Sequence, residues 1–452
     1  MEKVPTGIPK LDEILGGGFP RGGVILVAGN PGAGKTILAA KFIYEGAKRW
    51  KEPGVYLSFA ESRKDFYRYM RELNMNFEEL EKRNLFRFID LPTVIDEEAL
   101  TQIIKILLDK VVELRAKRVV IDSMTAMAQV LGKTKTRSLI HSSIFRGLKP
   151  FGVTTLLIAD MPYGATTVGF GVEEFVVDGV LILKMEREKG LTRRLIEIRK
   201  MRGSPTSLIE MPFVITPEKG IEPLIVERPE RIISFGEELV KTGIHNLDKL
   251  LGGGIPKGAQ VLIAGPSGSG KSLLSLLIAL HNASRGTKTL YISFEEPPAQ
   301  MRMKANALGY DISKLPISFV SLNVTTYTYD LLMYQIIRSI EEYKPQIIIF
   351  DGVTQITKIG GVREFWFSSV NLFTMLKRLG ITGIFTYAAN YPEEHVELDT
   401  IADVIIVLRY ERAKEELQRR LIVWKHRGAA TPTKQALLII GEGGKIEIRP
   451  EK

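Results

Sequence analysis

Gly29-Asn30-Pro31-Gly32-Ala33-Gly34-Lys35-Thr36 and Gly265-Pro266-Ser267-Gly268-Ser269-Gly270-Lys271-Ser272 are two complete copies of the pattern G-x-x-x-x-G-K-[ST], 236 positions apart in a chain of 452 residues. A polyphosphate needs what this spacing provides. The glycines let backbone N–H groups curl round the phosphates, and the helix that follows points its positive end at them. The lysine reaches the terminal phosphates and the Thr or Ser hydroxyl holds Mg²⁺. The contacting residues are Gly32, Ala33, Gly34, Lys35, Thr36 and Ile37 in the first copy. In the second they are Gly268, Ser269, Gly270, Lys271, Ser272 and Leu273. One such match arises by chance, whereas two in register, each after an apolar strand, almost never do.

The halves repeat well beyond the loops. Thr6-Gly7-Ile8-Pro9-Lys10-Leu11-Asp12 returns as Thr242-Gly243-Ile244-His245-Asn246-Leu247-Asp248, and Leu15-Gly16-Gly17-Gly18-Phe19-Pro20-Arg21-Gly22 as Leu251-Gly252-Gly253-Gly254-Ile255-Pro256-Lys257-Gly258. Further on, Tyr56-Leu57-Ser58-Phe59 matches Tyr291-Ile292-Ser293-Phe294, and Lys200-Met201-Arg202-Gly203 matches Lys425-His426-Arg427-Gly428. The offset shrinks from 236 to 225 along the way, which means small loop deletions in the second half. Short apolar runs such as Val24–Ala28 and Gln260–Ala264 read as buried strands alternating with helices. The expected fold class is therefore α/β, two tandem phosphate-loop domains, each a mainly parallel twisted sheet flanked by helices. The expected domains are 1–227 and 228–452, with the boundary near Glu222–Ile232, where Pro223 and Pro229 flank a charged stretch.

Composition narrows the function classes. Hydrophobic content of 45% and charged content of 25% are those of a soluble globular protein. The absence of cysteine rules out disulfides, thiol catalysis and Cys-ligated zinc, and favours a cytoplasmic setting. The five histidines show no metal-ligand spacing. No leader opens the chain and no apolar stretch is long enough to span a bilayer, so no membrane role is expected. A net charge of +10 permits an acidic or nucleic-acid partner without showing one. Abundant Lys, Arg and Glu also fit a thermophile.

The acids that complete the chemistry stand at strand ends. Asp122 and Asp351 close apolar runs, the placement of a carboxylate that holds Mg²⁺ beside the phosphates. Hydrolysis also needs a carboxylate to orient or deprotonate the attacking oxygen. In the second half Phe294 is followed by Glu295-Glu296, whereas the first half reads Phe59-Ala60-Glu61. Glu61, Glu295 and Glu296 are the candidate catalytic acids, Glu295 also a candidate for the metal, and the first unit is expected to be slower or altered.

Together these residues resemble the KaiC family of RecA-type ATPases, over essentially the whole chain. The opening T-G-I…L-D…L-G-G-G-[FI]-P-[RK]-G and the late K-x-R-G are more specific than a phosphate loop. Gly171-Val172-Glu173-Glu174-Phe175-Val176-Val177-Asp178 also looks like the family's first unit. The resemblance implies two RecA-like domains, ATP with Mg²⁺, and a homo-hexameric double ring with ATP between neighbouring subunits. It implies that Lys200 and Arg202 in the first ring, and Lys425 and Arg427 in the second, reach the neighbour's phosphates, with Arg194 and Arg419 at matching upstream places. Clock members of the family phosphorylate themselves on an adjacent Ser-Thr pair. Here that pair is Asp399-Thr400, so Thr400 is the candidate phosphorylation site, with Glu295 as its base. The chain ends soon after Ile448, without the long tail of those members, and no circadian function is expected.

Two rival readings stand beside this one. A nucleic-acid-dependent RecA-type motor or recombination protein would use Gly132-Lys133-Thr134-Lys135-Thr136-Arg137, with Lys358 and Arg363, to line a pore for single-stranded DNA. No aromatic for base stacking lies in the first segment, and Phe365-Trp366-Phe367 reads as helix packing. An ATP-gated assembly platform with little turnover would be consistent with Ala60.

Overall fold

Val24-Ile25-Leu26-Val27-Ala28 has no polar face and suits a strand covered on both sides. In the computed structural model it is strand β1 (Val24–Gly29), buried at every position. The structure describes residues 2–91, 97–125, 146–165, 176–188, 190–204, 209–224, 238–394, 396–413, 416–427 and 435–450. They form two units, Met1–Ile225 and Val226–Lys452.

In the first unit β1 leads through the phosphate loop into helix α1 (Lys35–Trp50). Then follow β2 (Gly54–Ser58), α2 (Arg63–Glu72), β3 (Phe86–Asp90), α3 (Glu97–Leu114), β4 (Arg118–Asp122) and β5 (Thr154–Asp160). An antiparallel run, β6 (Gly179–Glu188), β7 (Leu191–Met201), β8 (Ile209–Thr216) and β9 (Gly220–Pro223), completes the unit. The nine strands form one sheet in the order β9-β8-β7-β6-β1-β5-β4-β2-β3. The six from β6 to β3 are parallel.

Alternation along β1 sorts its side chains between two cores. Ile25 and Val27 join Leu38, Phe42 and Ile43 of α1, while Val24, Leu26 and Ala28 join Leu107 and Val111 of α3. With helices on both faces, the strand ends are the open edge left for chemistry. Phosphate-binding crevices form there in open α/β sheets.

The second unit repeats the plan. It comprises β10 (Gln260–Gly265), α4 (Lys271–Ser284), β11 (Thr289–Ser293), α5 (Pro298–Ala307), β12 (Ile317–Ser321), α6 (Tyr329–Tyr343) and β13 (Ile347–Asp351). Next come α7 (Thr354–Arg378), β14 (Thr382–Ala388), β15 (Val404–Ala413), β16 (Glu416–His426), β17 (Gln435–Ile440) and β18 (Ile446–Pro450). The sheet order is β12-β11-β13-β14-β10-β15-β16-β17-β18, again parallel from β12 to β15. Each unit is thus the expected RecA-like α/β domain. The long antiparallel extension was not visible in the sequence, because β7 and β16 carry charged residues on a partly solvated face. Among the described residues no helix is long and apolar enough to cross a membrane.

Candidate functional site

Each phosphate loop joins a buried strand to the first turn of a long helix. Gly34 and Gly270 stand at the N-cap with φ of 102° and 106°, in the left-handed region that a side chain would strain. The helix amides are thereby aimed back over the loop. Lys35 donates from Nζ to the carbonyls of Gly29 at 2.9 Å and Asn30 at 3.0 Å. Lys271 donates to Gly265 and Pro266, both at 2.8 Å. Burial pushes the Lys271 ammonium below its ordinary range. A cavity of about 230 Å³ lies over the second loop, lined by Gly268, Gly270, Lys271, Ser272, Glu295 and Thr386 among others. Ala33 and Ser269 are fully buried inside their loops. Ile37 and Leu273 are partly buried on the next helical turn.

Beside each loop a hydroxyl meets a carboxylate. Thr36 Oγ1 donates to Asp122 at 3.1 Å, and Ser272 Oγ to Asp351 at 2.9 Å. Both carboxylates are nearly covered, at 6% and 5% exposure, and burial raises both above the usual carboxylate range. Two buried tyrosines steady them. Tyr56 donates to Asp122 at 2.7 Å and Tyr291 to Asp351 at 3.0 Å. Thr386 adds a third donor to Asp351 at 2.6 Å, whereas Ile158 stands opposite Asp122 in the first unit. These are oxygen donors only. A covered carboxylate next to a hydroxyl suits a hard cation such as Mg²⁺, which takes its remaining ligands from phosphates and water. Among the described residues no cluster of three acids or histidines competes for a metal.

The candidate acids are placed differently in the two units. Glu295 reaches the phosphate cavity and accepts from Gln355 Nε2 at 2.9 Å. Glu296 turns aside to Lys304, at 2.7 Å. Glu61 occupies the place of Glu296, as its amide donates to Ser58 Oγ just as that of Glu296 donates to Ser293 Oγ, both at 2.9 Å. Burial, then the nearby Asp122 charge, pushes the Glu61 carboxyl up.

The K-x-R cations lie elsewhere. Lys200 Nζ donates to Val177 O at 2.8 Å, and Arg202 pairs with Asp178 at 3.1 Å. Asp178 also accepts the amide of Val24, at the start of β1. In the second unit Lys425 donates to Asp399 O at 2.8 Å and Arg427 to Thr400 O at 3.0 Å. Asp403, joined by Arg427 and Lys377, accepts the amide of Gln260 at the start of β10. These cations therefore sit at the opposite strand end from the phosphate loop of their own unit. Five residues of extended chain separate the two ends, about 17 Å. Arg194 and Arg419 part from them. Arg194 lies opposite Met185, whose amide donates to Asn30 of the loop at 3.0 Å. Arg419 lies over the Tyr410 ring at 5.5 Å, beside Gly268. Thr400 is exposed at the K-x-R end. The basic segment 132–137 and residues 171–175 lie outside the described residues, as does the side chain of Arg363, while Phe365 is buried within its helix.

Tyr56, Tyr291, Thr386, Gln355 and Asp160 were not singled out from the sequence. The tyrosines were visible as a repeated pair, but only the sheet register shows that they reach the aspartates.

Known proteins show the same likeness over the whole length. The chain matches the family profile "ATPase: KaiC" over residues 4–228 and 240–452. It is 31% identical to the circadian clock oscillator protein KaiC of Thermostichus vulcanus, over 95% of this chain and 86% of that one. It is 30% identical to the circadian clock protein KaiC3 of Synechocystis sp., over 95% and 88%. The chain, with its two phosphate loops and their strand-end acids, belongs to the KaiC family of ATPases.

Proposed function

We propose that both units bind ATP with Mg²⁺ and that the chain works as a homo-hexameric ring in which each nucleotide lies between neighbouring copies. The observation that carries this reading is the position of the K-x-R cations. Arg202 and Arg427 are anchored about 17 Å from their own phosphate loops, beyond the reach of a guanidinium, which leaves them placed for a neighbour's phosphates. A cation supplied in trans stabilises charge that develops on the transferred phosphoryl group. Thr36 with Asp122, and Ser272 with Asp351, would hold Mg²⁺, which would supply positive charge beside the phosphates. Lys35 and Lys271 would exchange their loop carbonyls for the terminal phosphates. Glu295 orients and deprotonates the attacking oxygen in the second unit. The adenine would enter the cavity of about 320 Å³ next to Ser272, where Leu273, Leu276, Met301 and Leu308 supply apolar walls beside Tyr291, Glu296, Lys304 and Asp351.

Autophosphorylation at Thr400 is part of this proposal. Thr400 sits at the same strand end as Lys425 and Arg427, so its phosphate would come from the neighbour's ATP. Asp399 puts a permanent carboxylate where a phosphoserine would stand.

Single substitutions of Lys35 and Lys271 test the reading. Lys35→Ala is expected to weaken ring assembly by light scattering while most ADP production persists, and Lys271→Ala to remove most turnover. Unchanged turnover in Lys271→Ala would move the active chemistry to the first unit. After incubation with MgATP, an added phosphate on the peptide spanning 393–409 would establish the kinase, and none with ADP accumulating would leave a plain ATPase.

A further inference from the structure

Asp160 ends β5 directly opposite Gly29, the residue that opens the first phosphate loop. Its Oδ1 lies 3.1 Å from Lys35 Nζ. Ala388 holds the same place in the second unit, opposite Gly265. The backbone amides confirm the match, with Asp160 donating to Thr125 Oγ1 and Ala388 to Thr354 Oγ1, both at 2.8 Å. Ala388 and Glu295 line one and the same phosphate cavity. The two units are therefore related by an exchange. The second has Glu295 at one wall of the cavity and Ala388 at the other. The first has Ala60 at the wall of Glu295 and Asp160 at the wall of Ala388.

We propose that Asp160 is a catalytic residue of the first unit, holding the attacking water and taking its proton, the task Glu295 has in the second. The inference rests on the proposed ATP hydrolysis at these loops. Without nucleotide, Asp160 neutralises the lysine. When the terminal phosphate takes Lys35, the carboxylate is released at the rim of that phosphate, within reach of a water on its outer side. The water oxygen bonds to the terminal phosphorus, the bond from phosphorus to the bridging oxygen breaks, ADP leaves, and the water proton passes to Asp160. Glu61 cannot be the full counterpart of Glu295, since it occupies the place of Glu296.

The test uses the full chain with Lys271→Ala, which leaves the first unit to be read alone. Adding Asp160→Asn is expected to lower kcat about 100-fold. Bound ATP per chain should be unchanged or higher, because one negative charge has left the lysine. Asp160→Glu should recover much of the rate. Unchanged kcat in Asp160→Asn, with or without tighter ATP binding, would make Asp160 a mere counter-ion and overturn the assignment. If the Lys271→Ala parent binds ATP but releases no ADP, the assignment falls while the binding reading stands. If that parent binds no ATP, the reading of the first loop falls as well.

Discussion

Arg202 pairs with Asp178 at 3.1 Å, and the other oxygen of Asp178 accepts the amide of Val24. The guanidinium is thus tied to the start of the strand whose far end carries the phosphate loop. Arg427 and Asp403 repeat the arrangement at Gln260. One side chain holds the cation at the edge of the sheet, about one strand length from its own loop.

Mixing subunits tests that separation. In chains with the second unit silenced by Lys271→Ala, Arg202→Ala should lower kcat about 10³-fold. Lys35→Ala should also abolish turnover. Rings assembled from both kinds of chain contain interfaces with an intact loop on one side and an intact Arg202 on the other. They should regain activity in proportion to those interfaces. No recovery in mixed rings whose assembly is confirmed by light scattering would overturn the assignment of Arg202 to a neighbour's phosphates.

The buried tyrosines give a second comparison. Asp351 has three hydroxyl donors, Ser272, Tyr291 and Thr386, whereas Asp122 has Thr36 and Tyr56 and faces Ile158. Losing one buried hydrogen bond costs about 1 kcal/mol, and orienting partners alter metal affinity about tenfold or more. Tyr56→Phe should therefore raise the Mg²⁺ requirement of the first unit more than Tyr291→Phe raises that of the second. Mg²⁺ titrations of ADP release in Lys271→Ala and Lys35→Ala chains decide the order.

Arg118 is fully buried, donating to Glu52 at 2.8 Å, Pro5 O at 2.8 Å and Phe42 O at 2.7 Å. It passes so close to α1 that a Cβ on Gly46 would lie 2.2 Å from Nε. Gly46→Ala should destabilise the first unit by about 2 kcal/mol, the scale of overpacking. In the Arg118→Met background the same change should cost much less. Denaturant melts of the four chains read the coupling directly.

The second unit should lose stability in mild acid. Burial lowers the His281 ring below its ordinary 6.5, helped by Arg285 and opposed by Asp248, and burial also lowers His426. The unfolded chain then binds more protons than the folded one from about pH 6.5 downward, so stability falls with pH across that window. Replacing both histidines by glutamine should flatten the dependence of the melting temperature between pH 7 and pH 5. An unchanged slope would place the acid sensitivity in other groups.

Much of the site could be read in the chain because it is local. A phosphate loop, its lysine and its hydroxyl fall within eight residues, and their spacing alone sets which backbone amides converge. The strand-end aspartates were legible because an apolar β-rich run closes on a lone acid. Glu295 and Glu296 were legible as candidates, but their division of labour was not. Only packing shows one acid in the phosphate cavity and the other held by Lys304.

By itself the sequence determined that two α/β units recur, that each carries a phosphate loop, and that the first lacks the acid at Ala60. Periodicity and short-range spacing suffice for these, since both act within one strand and one turn. Tertiary structure decided which distant residues share a cavity. Asp160 reaches Lys35 because β5 lies beside β1 in the sheet, although 125 positions separate them in the chain. Arg202 is removed from its own loop because β7 runs antiparallel to β6 and returns to the opposite edge. Strand order and direction follow from burying both faces of the sheet under helices, a property of the whole unit that no local window contains.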